Sequence, residues 1–344
     1  MSIEAIKRVE IAISEIKRGK MVIMMDDEDR ENEGDLVYAS TFSTPEMVNF
    51  MAMEARGLIC TPITKETANR LELNPMVTKN DANHETAFTI SVDAANATTG
   101  ISANERNMAI ELLASPISSK GDLLRPGHIF PLIAKDGGVL VRTGHTEGSV
   151  DLCKLSGISP CAVICEIIKP DGDMARKDDL EIFSKKHNMP IVYISDIVEY
   201  RLLNEKLIQK INTQEVEFFD SKVQEITYKD HIGREHKVIQ FYKTHHTENV
   251  KFHNIGLDVD LILNSQRFNN LTNSIDYLKL NGGILIFLDT KVISKEQARE
   301  FGIGAQILKD LGVTDIKLLT SNRDTEFVGL GGFGLNVVDK IVIE

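Results

Sequence analysis

Apolar and polar positions fall into blocks that predict helices and strands in turn. Ile3, Ile6, Ile11, Ile13 and Ile16 share one broad apolar face at helical spacings. Lys17 and Arg18 follow in the last turn, where positive charge suits the helix dipole, and Gly19 is placed to end the helix. Met21 to Met25 is an unbroken apolar run and predicts a buried strand, which opens into a polar loop from Asp26 to Asp35. Phe88–Val92, Val139–Val141 and Ala162–Ile168 predict further strands; Pro45–Glu54, Asn104–Leu113 and Thr146–Leu155 predict helices. Strands alternating with helices predict an α/β or α+β domain.

The pattern changes near residue 200. Arg201 to Asp220 is polar and reads as helix or linker. Beyond it, strand Gly283–Leu288, helix Lys295–Leu311 (stopped by Gly312) and strand Asp315–Thr320 predict a right-handed βαβ crossover. Two domains are expected, a mixed α/β domain over 1–200 and a smaller α/β domain over 201–344, α+β in class overall.

Composition narrows the function. With 344 residues and 42% hydrophobic content there is material for two cores, which excludes disorder for most of the length. No apolar run approaches the ~20 residues of a membrane helix, and the first twenty residues lack an apolar signal core. The four cysteines, Cys60, Cys153, Cys161 and Cys165, form no C-x-x-C pair and fit buried thiols in a reducing cytoplasm. A net charge of −12 argues against nucleic acid as partner.

Seven of the ten residues in Asp26-Asp27-Glu28-Asp29-Arg30-Glu31-Asn32-Glu33-Gly34-Asp35 are acidic. Carboxylates crowded at the end of a buried strand repel unless a cation sits among them, and oxygen ligands suit Mg²⁺ or Mn²⁺. The spacing does not fit a calcium loop, which needs Gly at its sixth position and Glu at its twelfth. Arg142-Thr143-Gly144-His145-Thr146 lies between a predicted strand and a predicted helix, so free backbone N–H groups and Arg142 would face an anion there. His145 is placed to serve as metal ligand or general base. Arg125-Pro126-Gly127-His128 reads as a turn carrying a second Arg/His pair, and Glu166 is a carboxylate in an apolar strand, to be paired, protonated or poised for proton transfer. Gly329-Leu330-Gly331-Gly332-Phe333-Gly334 matches a dinucleotide pattern but leads into a predicted strand instead of a helix, and reads as a turn.

Taken together, these motifs resemble one family. Asp26 through Asp35 is similar to the signature loop of 3,4-dihydroxy-2-butanone 4-phosphate synthase. The resemblance continues through Gly57–Cys60, His84–Thr89, Thr99–Ser102, Arg125–His128, Arg142–Thr146 and Asp171–Arg176, covering nearly all of 1–200 in order. It implies a cytoplasmic homodimer with its active site near the subunit interface. The implied reaction is a lyase step of riboflavin biosynthesis, from D-ribulose 5-phosphate to 3,4-dihydroxy-2-butanone 4-phosphate and formate. It makes Glu31 and His145 the Mg²⁺ (or Mn²⁺) ligands. Arg30, Glu31, Asp35, Arg142, the backbone of Thr143 and Gly144, His145, Thr146 and Glu166 become substrate contacts, and His128 and Glu166 essential for catalysis. Glu105 departs from the family, which usually has Asp there.

Phe301–Val313, Lys317–Asn322 and Gly332–Leu335 resemble the late segment of GTP cyclohydrolase II. That enzyme needs three cysteines on zinc, and this chain has none after Cys165. The family's Arg- and Gly-rich catalytic segment is missing between His253 and Phe301, and Thr325 stands where Lys is expected. His245, His246 and His253 are a possible substitute metal set, but His-rich polar loops are usually just solvated. The expectation is an inactive domain kept for assembly or regulation, with no zinc. The alternatives are a bifunctional enzyme that also opens GTP and a non-catalytic phosphosugar-binding or assembly protein.

Overall fold

A computed structural model describes residues 3–27, 30–241, 247–289, 297–321 and 335–343. Glu28 and Asp29 of the acidic loop, His245, His246, the first residues of the helix predicted from Lys295, Asn322, Thr325 and the Gly329–Gly334 run lie outside them. The chain divides into two compact units at Tyr200/Arg201.

The first unit contains β1 (Val22–Met25), β2 (Gly34–Ala39), β3 (Cys60–Ile63), β4 (Val92–Ala94), β5 (Leu123–Ile133), β6 (Ala162–Glu166) and β7 (Ile191–Tyr193). Its helices are α1 (Ile3–Lys17), α2 (Pro45–Phe50), α3 (Lys65–Arg70), α4 (Ala103–Ala114), α5 (His145–Leu155) and α6 (Lys177–His187); α7 (Ile194–Asn204) runs past its end. The strands form one mixed sheet in the order β4-β5-β3-β6-β2-β1-β7. Both faces are covered, which explains the unbroken apolar run of β1. Ile23 and Met25 join a core with Val48, Met51, Ile110 and Leu113 on one face, while Val22 and Met24 join Val9, Ile13, Ile16 and Leu152 on the other. Thr44 caps α2, and Ser102 caps α4 by accepting the Glu105 N–H.

Three sequence expectations differ here. Phe88–Val92 is not one strand: Phe88 and Thr89 make isolated bridges to Leu132 and Pro75, and only Val92 belongs to β4. Val139–Val141 is not a strand: Gly138–Leu140 forms a 3-10 turn, entered through Gly137 and Gly138 at positive φ, and Asp151 accepts the Val139 N–H. Arg125–His128 is not a turn but part of β5.

The second unit contains β8 (Ile208–Phe218), β9 (Ser221–Asp230), β10 (Glu235–Phe241), β11 (Thr247–Ile255), β12 (Gly283–Asp289), β13 (Asp315–Thr320) and β14 (Asn336–Val342). Their order is β14-β13-β11-β12-β10-β9-β8, and α8 (Asp258–Leu263), α9 (Ser265–Asn281) and α10 (Gln297–Asp310) complete the unit. Residues 208–218, read as helix or linker, form the edge strand of a hairpin. Nearly all of β8 is exposed, so no alternating pattern marked it. Strands β12 and β13 do run the same way, but β11 lies between them and pairs in parallel with both. Among the described residues no helix is long and apolar enough to cross a membrane.

Candidate active site

The acidic loop leaves β1 and returns as β2, and this hairpin brings its carboxylates back over the sheet. Asp26, nearly fully buried, accepts the Glu31 and Glu33 N–H groups and pins the loop. The Arg30 guanidinium lies between Asp26 and Glu31, donating to each at 2.6 Å. The cation demanded by the crowded carboxylates is thus partly supplied by the loop itself.

His145, the first residue of α5, reaches the same place. Its Nδ1 lies 3.7 Å from Glu31 Oε2 and its Nε2 3.9 Å from Asp35 Oδ1. Asp26, Glu31 and His145 each offer a ligand atom, all within 4.8 Å of one another. His145 Nε2 and Asp35 Oδ1 are buried without a hydrogen-bond partner. Two orphaned polar atoms facing each other beside an acidic cluster fit a hard divalent cation.

Electrostatics follow the packing. Burial alone would raise the Glu31 carboxyl, but His145 and Arg30 beside it outweigh that and bring it down to about 2. Asp35 is wholly buried, and desolvation pushes its carboxyl up, with His145 opposing and Glu166 and Glu31 adding to the rise. Burial would lower the His145 imidazole; Asp35 and Glu31 reverse this and raise it. Asp35 and Glu166 sit opposite each other in the β2–β6 ladder. Glu166 ends its strand half-buried and accepts the Leu58 N–H at 2.8 Å, so it is held by a backbone donor instead of lying within an apolar run.

A cleft of about 140 Å³ is lined by Arg30, Glu31, Asp35, Arg142, His145, Thr146 and Glu166, together with Glu33, Cys60, Thr86 and Phe88. Thr143 and Gly144 connect two of these but do not line it. Arg142 is engaged: Nη1 donates to buried Glu147 at 2.6 Å and Nη2 to the His84 carbonyl at 2.9 Å. Sequence reasoning did not single out Asp26, Glu33, Thr86 or Glu147. Asp26 was legible only as one acid among seven.

His128 is elsewhere. It lies on β5 outside the cleft lining, where Asp93 Oδ1 accepts its backbone N–H at 2.8 Å and Asp93 Oδ2 lies 2.9 Å from Nδ1. Ile101, which follows the Gly100 packed against this pair, and Leu124, opposite Asp93 in the β4–β5 ladder, are both more than half exposed. A larger cleft of about 370 Å³ in the second unit is lined by Leu202, Lys206, Gln306, Lys309 and Asp310; it gathers no such cluster, so volume does not select the site.

A hard-cation site beside an arginine and a helix N-terminus suits proton transfers on a small oxygen-rich anion. The family profile of 3,4-dihydroxy-2-butanone 4-phosphate synthase matches residues 10–200, and that of GTP cyclohydrolase II matches 261–342. A 3,4-dihydroxy-2-butanone 4-phosphate synthase from Wolinella succinogenes is 53% identical over 339 residues, covering 98% of both chains. Among solved structures, RibBX, a two-domain 3,4-dihydroxy-2-butanone 4-phosphate synthase from A. baumannii, is similar with a TM-score of 0.81 and 36% identity, covering 98% of this chain and 99% of its own. A 3,4-dihydroxy-2-butanone 4-phosphate synthase in complex with two magnesium ions covers 55% of this chain and 94% of its own, with a TM-score of 0.54 and 40% identity. The chain belongs to the 3,4-dihydroxy-2-butanone 4-phosphate synthase family, with a GTP cyclohydrolase II-like second part.

Proposed function

We propose that this chain converts D-ribulose 5-phosphate to 3,4-dihydroxy-2-butanone 4-phosphate and formate, as a Mg²⁺-dependent cytoplasmic homodimer. Residues 1–200 act as the synthase domain, and residues 201–344 form a cyclohydrolase-like domain without GTP-opening activity. The convergence of Arg30, Glu31, Asp35, Arg142, His145, Thr146 and Glu166 on one cleft carries this reading.

Glu31 and His145 hold the cation, with Asp26 close by. When bound, it would polarise the substrate carbonyl and stabilise the charge left when a proton departs the neighbouring carbon. Arg142, Thr146 and the first N–H groups of α5 hold the phosphate away from the reacting end. Asp35, whose raised carboxyl is able to keep a proton near neutrality, and Glu166 exchange protons with the sugar oxygens. Water lost midway returns before the carbon–carbon bond breaks, so sugar phosphate becomes product and formate with no co-reactant.

His128 does not line this cleft in its own chain, and a homodimer supplies a role for it. The exposed Ile101 and Leu124 near it support burial of this face against a second copy, and in such a dimer His128 would serve the partner's cleft. Its Nε2, opposite the Asp93-bound Nδ1, is the nitrogen free to take or give a proton.

The test supplies ribulose 5-phosphate or GTP to the purified protein and identifies products by NMR, with formate measured in both. Formate and butanone phosphate from the sugar alone, abolished by chelator and restored by Mg²⁺, are expected. Turnover of GTP would overturn the inactive second domain, and no turnover of either would overturn the catalytic reading.

A further inference from the structure

Glu105 accepts far more hydrogen bonds than capping a helix requires. Its Oε1 takes the Thr98 N–H at 2.5 Å, the Thr98 hydroxyl at 2.6 Å and the Thr99 N–H at 3.3 Å. Its Oε2 takes the Thr99 hydroxyl at 3.1 Å, the Gly100 N–H at 3.0 Å and the Ser102 hydroxyl at 3.2 Å. One carboxylate therefore organises the whole segment from Thr98 to Ser102. The hydroxyl and N–H of Thr98 lead the donors that hold its carboxyl down to about 2, so it remains an acceptor at any working pH.

The segment leads to the Asp93–His128 pair. Gly100, at φ +80°, presses so closely that a Cβ there would fall 2.1 Å from Asp93 Oδ2 and 2.6 Å from His128 Nδ1. Only a backbone without a side chain fits against the pair. The Gly100 N–H that Glu105 holds belongs to the same residue.

We propose that Glu105 is a positioning residue for His128: by fixing Thr98–Ser102 it seats Gly100 against the Asp93–His128 pair and holds the imidazole in one orientation and tautomer. The longer side chain, where the family usually has Asp, reaches six donors of this loop. This inference rests on the reading of His128 as a catalytic group.

The test compares Glu105→Gln, Glu105→Asp and His128→Ala in the full-length protein. It uses steady-state formate release, thermal melting and long-range proton–nitrogen NMR of the histidine rings, with His128→Ala assigning the signal. Glu105→Gln keeps the length but turns an N–H group toward donors. It is expected to lower kcat about tenfold or more, leave KM within about twofold and broaden the His128 signal into a tautomer mixture. Glu105→Asp recovers most of the rate and the single tautomer. Should Glu105→Gln fail to fold, Thr98→Val, which removes only the hydroxyl that Glu105 Oε1 accepts at 2.6 Å, is expected to give a smaller kcat and tautomer change of the same kind. An unchanged tautomer and kcat in the folded variant, with only the melt lowered, would reduce Glu105 to a helix cap and overturn the proposal. Normal turnover by His128→Ala would overturn the catalytic reading of His128 and this inference with it; loss in His128→Ala beside a normal Glu105→Gln would overturn this inference alone.

Discussion

One carboxylate, Asp93, grips His128 twice, through the backbone N–H at 2.8 Å and the ring Nδ1 at 2.9 Å. The first contact fixes where the residue starts, and the second fixes which ring nitrogen carries the proton. A carboxylate accepts only, so Nδ1 must donate and Nε2 is left as the base. Asp93→Asn offers an amide N–H to the ring and favours the wrong tautomer. We expect kcat to fall about 10²-fold or more, with little change in KM, measured by formate release.

Glu31 is the carboxylate closest to His145, and His145 and Arg30 bring it down to about 2. Glu31→Gln should weaken binding of Mg²⁺ and Mn²⁺ by about tenfold or more, read by calorimetry on the folded protein. Activity should fall in parallel and recover in part at high metal concentration.

If His128 serves the partner's cleft, two crippled chains rescue each other. Glu31→Ala and His128→Ala should each be inactive alone. A refolded equal mixture should regain about a quarter of the wild-type rate, because half of the dimers then carry one intact site. A mixture that stays inactive would mean that both residues of a site come from one chain.

Arg142 is bound to Glu147, whose side chain is only 1% exposed. Arg142→Ala leaves that buried carboxylate with the Lys135 N–H but without its counter-charge, which costs about 3–5 kcal/mol of stability as well as activity. Restoring the melt with Arg142→Ala/Glu147→Gln, while activity stays lost, would separate the substrate role from the structural one.

In the second unit, burial raises the Asp230 carboxyl, but hydrogen bonds from His236 and Arg234 outweigh it and hold it well below the usual carboxylate range. A folded value below the unfolded one means this stability is complete above about pH 4. It is lost as pH falls further toward the folded value. Thermal melts of Asp230→Asn and wild type should therefore differ by about 1.5–3 kcal/mol near neutrality and converge in acid.

What the sequence made legible was local. Isoleucines at helical spacing marked α1, and the packed acids of 26–35 and the Arg142–Thr146 turn marked the two sides of the cleft, because each carries its chemistry in consecutive residues. Asp93 escaped notice because its meaning lies in a partner on another strand. Val139–Val141 has the composition of a strand, yet the two glycines before it and Asp151 bend it into a turn. The insertion of β11 between β12 and β13 is a long-range pairing that no local period records. His128 was given its role by resemblance, while its place outside the cleft required the fold.

The pairing of Asp35 with Glu166 across β2 and β6 makes the sheet a ruler. Side chains alternate faces along a strand, so an inserted residue in either one would turn its carboxylate to the opposite face and bury it in the wrong core. Between them lie most of the helices and loops of the first unit, whose lengths do not enter that spacing. Only connections that carry none of the site's residues are therefore open to lengthening or grafting, while the two short strands tolerate no change in count.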